Sequence, residues 1–108
     1  MTEPVTKYFR AIGDVQGVFF RKTICLAAKF KGLVGGASNL SNGQVEFILT
    51  GKEDTISQLI KSIEKTKPLN NFGAEVIDVL EVKKGRDLES HQMTTLNVTS
   101  FSMLHTYI

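Results

Sequence analysis

The sequence has few of the residues that mark secreted, membrane or metal-binding proteins. Its 108 residues include one cysteine, Cys25, so no internal disulfide can form and nothing points to an oxidising compartment. No apolar run is long enough to span a bilayer, and the N-terminus lacks the pattern of a signal peptide. His91 and His105 have no partner at metal-ligand spacing. We therefore expect a cytoplasmic protein that uses no metal or other cofactor.

The charge is also low. Thirteen Lys and Arg residues against eleven Asp and Glu residues give a net charge of +2 at pH 7, which is too small for a dedicated nucleic-acid binder. The predicted strands lack the exposed aromatic pairs and basic stripe that bind single strands. A small anion would still be attracted if the positive groups were gathered at one place. We expect a small-molecule partner, with neither nucleic acid nor membrane, and a monomer by default.

The pattern of apolar residues predicts one domain over residues 1–108 with seven elements. Strands are predicted over 7–13, 33–40, 44–51, 74–84 and 101–108, helices over 20–31 and 53–67, and a loop over 85–100. Pro68 ends the second helix. This order, βαββαβ plus a final strand, predicts an α+β fold: a ferredoxin-like α/β sandwich with an antiparallel sheet of about five strands and two helices on one face.

Two further expectations concern where individual side chains lie. In the strand over 74–84, Val76, Leu80 and Val82 are predicted to face opposite to Ile77 and Val79. In the first helix, Cys25 lies among apolar neighbours, which favours a small core residue over a nucleophile.

The stretch GDVQGVFFR, residues 13–21, is the least ordinary part of the chain. Gly17 tolerates positive φ, so successive backbone N–H groups can converge on one point and form a nest for an anion. The following helix N-terminus adds partial positive charge, and Arg21 offers a fork of donors that matches a phosphate. The alternative is a strand-to-helix turn with a solvated arginine. No G-x-x-x-x-G-K-[ST] motif is present, so nucleotide binding is not implied.

This stretch resembles the first signature of the acylphosphatase family: glycine, any residue, V-Q-G-V, any residue, F-R. A second signature is found in GGASNLSNGQVEFILTG, residues 35–51, where Gly43, Val45 and Gly51 follow Asn39 at the family's spacing. The two motifs and the element order together cover nearly the whole chain. The chain is therefore identified as similar to the acylphosphatases.

The resemblance implies an enzyme that hydrolyses the carboxyl–phosphate bond of acyl phosphates without a metal. The products are a carboxylate and inorganic phosphate. It also implies that Arg21 pairs with the phosphate oxygens and that Asn39 orients the attacking water. The implied phosphate-binding loop consists of Asp14, Val15, Gln16, Gly17 and Val18.

Two residues depart from the family pattern and leave an alternative open. Asp14 would repel a phosphate dianion if its side chain faced the loop, although a solvent-facing carboxylate would cost little. Gly36 stands where an aromatic residue is usual, and it could loosen the strand that carries Asn39. The alternative function is a phosphate- or anion-binding module with weak or no turnover. A further alternative is the carbamoyl-phosphate-processing part of a larger maturation enzyme, although no linker or second domain is visible in the sequence.

Overall fold

A computed structural model of the chain describes residues 3–83, the backbone of residues 94–95, and residues 107–108. Its elements are β1 (Val5–Asp14), α1 (Phe20–Phe30), β2 (Val34–Asn39), β3 (Val45–Gly51), α2 (Glu53–Lys65), β4 (Glu75–Val82) and β5 (Thr94–Thr95). Among the described residues, no helix is long and apolar enough to cross a bilayer.

The strands form one antiparallel sheet in the order β4-β1-β3-β2-β5, which confirms the predicted ferredoxin-like α+β fold. The sheet has four full-length strands, and its fifth position holds only the two residues of β5, so the expected number of about five is corrected to four full strands. These two residues lie in the segment that was predicted to be a loop. Of the predicted final strand, residues 101–106 lie outside the described residues. Tyr107 and Ile108 are not in a strand, and the Tyr107 N–H donates to the Leu69 carbonyl at 2.9 Å.

The core lies between the sheet and the two helices because strand residues alternate between its faces. The Phe47 ring of β3 lies 5.3 Å from the Phe9 ring of β1 and 6.3 Å from the Phe20 ring of α1, measured between centroids. Ile24 of α1 and Leu59 of α2 are also buried in this cluster. Each such side chain contributes about 1.5–3 kcal/mol by leaving water. The paired apolar faces therefore fix how the helices lie on the sheet.

The predicted facing of β4 is wrong, because β4 contains a bulge. Ile12 pairs with Asp78 but Gly13 pairs with Val76, so Ile77 is an extra residue on β4. Because of this extra residue, side chains on either side of the bulge that would otherwise share a face of the sheet lie on opposite faces. Val76 and Val79 consequently both pack toward the core, whereas Leu80, which was predicted to share the face of Val76, lies on the opposite face.

Gly13 lies against this bulge, where no other residue fits. A Cβ atom on Gly13 would lie only 2.4 Å from the Glu75 carbonyl oxygen, and the φ of Gly13 is +142°. The first glycine of the sequence motif is therefore required by the close approach of β1 and β4. This contact fixes the point at which the chain leaves the sheet toward α1.

The face of the sheet opposite the helices carries a buried ion pair. Arg10 of β1 lies directly across from Glu46 of β3, and Arg10 Nε donates to Glu46 Oε1 at 3.2 Å. The Glu46 side chain is fully buried, and among the described residues its Oε2 has no hydrogen-bond partner. A carboxylate in this position depends strongly on its cation, because removing one partner leaves an uncompensated buried charge.

We expect Arg10→Met to lower the free energy of unfolding by about 3 kcal/mol, because Glu46 then stays buried without its cation. Urea denaturation followed by circular dichroism measures the change. The matched control is the double variant Arg10→Met with Glu46→Leu, which should recover most of the loss because no buried charge remains. A single variant that differs from the native chain by less than about 0.5 kcal/mol would contradict this account.

Candidate active site

β1 passes into α1 through a short turn in which two residues have left-handed backbone conformations. Gly17 has a φ of 78°, which glycine adopts without strain. Phe19, the N-cap of α1, has φ 58° and ψ 29°, and it is the one non-glycine residue with positive φ in the described part of the chain. This conformation costs a residue with a side chain roughly 1–2 kcal/mol. The turn therefore stores strain at the N-terminus of α1.

A cavity of about 280 Å³ opens beside this turn. Its lining residues are Val15, Gly17, Phe19, Phe20, Arg21, Lys22 and Asn39. Arg21 and Asn39, which the sequence assigned to phosphate binding and water positioning, therefore border the same space. Two of the lining side chains are cations and none is a carboxylate, so the cavity favours an anion.

The predicted phosphate-binding loop borders the cavity with some of its residues only. Val15 and Gly17 line it, whereas Asp14, Gln16 and Val18 are not among the lining residues. Asp14 is exposed at the end of β1, where water screens its charge from the cavity. Its position leaves the positive character of the cavity in place.

Gln16 has a bracing contact that the sequence did not indicate. Its side-chain Nε2 donates to the Leu40 carbonyl at 2.7 Å and to the Gln44 carbonyl at 2.8 Å. Leu40 and Gln44 belong to the turn that follows Asn39, and the Leu40 N–H donates to the same Gln44 carbonyl. One side chain therefore fixes the spacing between the β1–α1 turn and the end of the strand that carries Asn39.

The strand that carries Asn39 is paired along its whole length, although Gly35 within it has a positive φ of 154°. β2 is paired with β3 at every residue from Val34 to Asn39, with Gly36 opposite Ile48 and Asn39 opposite Val45. The glycine at position 36 therefore does not interrupt the pairing of the strand. The backbone of Asn39 is held by the sheet on one side and by the Gln16-braced turn on the other.

Asn70 is a buried residue at the site that sequence reasoning missed. Its Nδ2 donates to the Val18 carbonyl at 2.9 Å and to Thr23 Oγ1 at 2.8 Å, while its Oδ1 accepts from the N–H groups of Phe72 and Ala74. Thr23 Oγ1 in turn donates to the Phe19 carbonyl at 2.8 Å. The loop after α2 is thereby joined to the turn before α1. In the sequence, Asn70 reads only as a turn residue, because nothing local shows which loop it contacts.

Cys25 is buried in the core, as predicted from its apolar neighbours. Burial raises the pKa of its thiol to about 12, opposed only in part by the charge of Arg21 one helical turn earlier. The thiol is therefore neutral at physiological pH and unsuited to act as a nucleophile.

A metal site is not evident in the described part of the chain, where no three His, Cys, Asp or Glu side chains are grouped as ligands. His91 and His105 lie outside the described residues.

Comparison with known proteins gives one consistent family. The model of the Acylphosphatase family matches residues 7–94. The acylphosphatase of Caldivirga maquilingensis is 38% identical over 78 residues, which cover 71% of this chain and 77% of that protein. The acylphosphatase of Alkalilimnicola ehrlichii is 40% identical over 63 residues, covering 58% of this chain and 71% of that protein.

Solved structures agree with these relatives. The structure of an acylphosphatase from Coxiella burnetii has a TM-score of 0.64 and 30% identity, and the match covers 82% of this chain and 88% of that chain. For the acylphosphatase from Bacillus subtilis the TM-score is 0.61 with 28% identity, over 82% of this chain and 94% of that chain. Full-length HypF, in its phosphate- and nucleotide-bound form, is matched over 79% of this chain but 11% of its own length, with a TM-score of 0.54 and 25% identity.

We expect Asn70→Ala to lower the free energy of unfolding by about 3 kcal/mol, since it leaves several polar groups, some of them buried, without a partner. Asn42→Ala is the matched control, because Asn42 is exposed and accepts a single hydrogen bond, from the Gln44 N–H. Its cost should be about 1 kcal/mol or less. Equal losses in the two variants, measured by urea denaturation, would show that Asn70 has no special role in holding the turn.

The Cys25 thiol should resist a disulfide reagent in the folded protein at neutral pH and react once the chain is unfolded in urea. Because its pKa rises on folding from 9.0 to about 12, the folded state retains a proton that the unfolded state loses between these values. Stability is therefore lost as pH rises above about 9, by at most about 1.4 kcal/mol per pH unit. Cys25→Ala should lose less stability over this range. Rapid labelling of the native protein, or identical alkaline slopes for the two chains, would contradict the assignment.

Proposed function

The chain belongs to the acylphosphatase family and hydrolyses the carboxyl–phosphate bond of acyl phosphates, and we propose that it does so in the cavity beside α1. The observation that carries this placement is that Arg21 and Asn39 line one cavity together with the Gly17 turn. The substrate is a small-molecule acyl phosphate, and the products are a carboxylate and inorganic phosphate.

The phosphoryl group is proposed to bind at the turn. Within the loop from Asp14 through Val18, the backbone N–H groups after Val15 would donate to its oxygens, with the left-handed Gly17 turning the chain around them. The Val15 N–H itself donates to the Gly13 carbonyl at 3.0 Å. Arg21, in the first turn of α1, would place its planar fork of donors against two of the oxygens. Lys22 and the N-terminus of α1 add positive charge at the same place. Because these groups are fixed before the substrate binds, they stabilise the charge of the transferring group without reorganising.

In the reaction, a water held by the Asn39 side chain attacks phosphorus in line with the phosphorus–oxygen bond to the acyl group. That bond breaks, and its electron pair leaves with the carboxylate oxygen, while both protons of the water stay with the phosphate. An acyl phosphate dianion and water therefore give RCOO⁻ and H₂PO₄⁻. Because the leaving carboxylate has a conjugate acid with a pKa of about 4, no general acid is required. The protein therefore accelerates the reaction by positioning the water and by stabilising the charge on the phosphoryl oxygens.

Gln16 and Asn70 are proposed as positioning residues. Gln16 joins the β1–α1 turn to the turn after Asn39, and Asn70 joins it to the loop after α2. A displacement of about 1 Å between a bound phosphoryl group and its attacking water costs on the order of 100-fold in rate. The two amides limit this displacement without contacting the substrate.

We further propose that residues 1–108 form one domain of this family, acting as a monomer in the cytoplasm. The described core is a single cluster between one sheet and two helices, which supports one domain. The sequence holds a single cysteine, Cys25, so no disulfide can form within the chain, which is consistent with a reducing compartment.

We expect the native chain to hydrolyse benzoyl phosphate in the presence of a chelator, and Arg21→Ala and Asn39→Ala each to lower kcat by about 100-fold or more. Arg21→Ala should also raise KM, because it removes a charge that the ground state already uses. Asn39→Ala should leave KM nearly unchanged, because the water rather than the phosphate loses its partner. Phosphate release in stopped and continuous assays measures both constants.

The controls for this experiment remove similar groups outside the cavity. Lys29→Ala removes an exposed cation from the far end of α1, and Gln58→Ala removes an exposed amide from α2. Both should retain native rates. A native chain that binds phosphate but hydrolyses no faster than buffer would support the binding module instead. Full activity of both site variants would place the chemistry elsewhere.

A further inference from the structure

The cavity has an aromatic side that phosphate binding does not use. Phe19 lines the cavity, and 47% of its surface is exposed. Its ring lies 4.6 Å from that of Phe72, centroid to centroid, with the planes tilted by 55°, and Phe72 is 38% exposed. Phe72 does not line the cavity itself, but its ring extends the exposed surface of Phe19 beyond the cavity. Two neighbouring rings that remain open to water in this position form an apolar surface for part of a ligand.

The position of Phe19 is maintained against its backbone preference. Its φ of 58° is one that glycine or asparagine adopts readily and that a bulky residue rarely adopts. The Phe19 carbonyl accepts from the N–H and the Oγ1 of Thr23, and the Lys22 ammonium lies 5.4 Å from the centroid of its ring. Several contacts therefore hold an exposed ring in a strained position at the mouth of the cavity, which is a recurrent feature of functional sites.

We propose that Phe19 and Phe72 form the subsite for the acyl group, so that the enzyme favours acyl phosphates with a flat, aromatic acyl group over those with a small aliphatic one. The proposal rests on the proposed function, since it assumes that the phosphoryl group occupies the Arg21 side of the same cavity. An acyl group attached to that phosphoryl group must extend along another wall of the cavity, and Phe19 provides an apolar wall next to Arg21. An aromatic acyl group would pack on the rings, whereas an acetyl group is too small to cover them.

The test is the ratio of kcat/KM for benzoyl phosphate to that for acetyl phosphate. Phe19→Gly should lower this ratio about tenfold relative to the native chain, equivalent to 1.4 kcal/mol, with the loss mainly in KM for benzoyl phosphate. Glycine suits the left-handed backbone at position 19, so the variant should keep the turn. Phe72→Ala, which leaves the turn residues unchanged, should lower the ratio in the same direction. Phe30→Ala is the matched control, since Phe30 is exposed at the opposite end of α1, and it should leave the ratio unchanged.

The outcomes separate this proposal from the one on which it rests. If the native chain hydrolyses both substrates but Phe19→Gly and Phe72→Ala change both kcat/KM values by the same factor, the acyl subsite is wrong and the proposed function stands. If Phe30→Ala lowers the ratio as much as Phe19→Gly does, the effect does not come from the cavity and the subsite is again wrong. If the native chain hydrolyses neither substrate, the proposed function fails and the subsite with it.

Discussion

Two hydrogen bonds from the Gln16 side chain, to the Leu40 and Gln44 carbonyls, join the parts of the molecule on which the site depends. The β1–α1 turn carries the backbone proposed to bind the phosphoryl group, and the turn after β2 follows Asn39, which is proposed to hold the attacking water. These two segments are far apart in sequence, and within the sheet they are linked only indirectly, because β1 pairs with β3 and β3 pairs with β2. The Gln16 bridge ties these two turns directly to each other. The distance between a phosphoryl group bound at the first turn and the proposed water-positioning residue, Asn39, would therefore be set before substrate arrives.

Asn70 extends the same principle to the other side of the turn. It bonds the Val18 carbonyl and Thr23 Oγ1, so the start of α1 is held by a loop that belongs to the opposite half of the fold. Gly13 supplies the third constraint, since its close approach to β4 determines where the strand ends. Phe19 can keep its strained backbone conformation because the Asn70 hydrogen bonds and the contact between Gly13 and β4 hold the residues on either side of it. The chemistry needs few groups, but each of those groups has to be held in place.

The elements and the two signature motifs were readable from the sequence because they depend on local patterns. The helices begin and end near the predicted residues, and the resemblance to the family signatures singled out Arg21 and Asn39, which line one cavity. The bulge at Ile77 was not readable, because an extra residue in a strand changes which side chains face the core without changing composition. The contacts of Gln16 and Asn70 were also missed, since an amide in a loop gives no local sign of a partner in another loop. Long-range hydrogen bonds thus account for most of what sequence reasoning left out.

The left-handed Phe19 connects these observations to substrate choice. The family signature fixes glycine, V-Q-G-V and F-R around the turn but allows any residue between Val18 and Phe20. The fixed positions form or support the proposed phosphoryl site, and the phosphoryl group is the same in every acyl phosphate, whereas the acyl group differs from one substrate to another. A free position that borders the cavity is therefore where a change of side chain can alter the acyl preference without disturbing the phosphate site. In this chain the position holds an exposed aromatic ring backed by Phe72, and its strained backbone would be relieved by glycine. Phe19 occupies this position although its backbone conformation there is unfavourable, and it lies beside the groups proposed to bind phosphate. This is the physical reason to assign Phe19 to the acyl group.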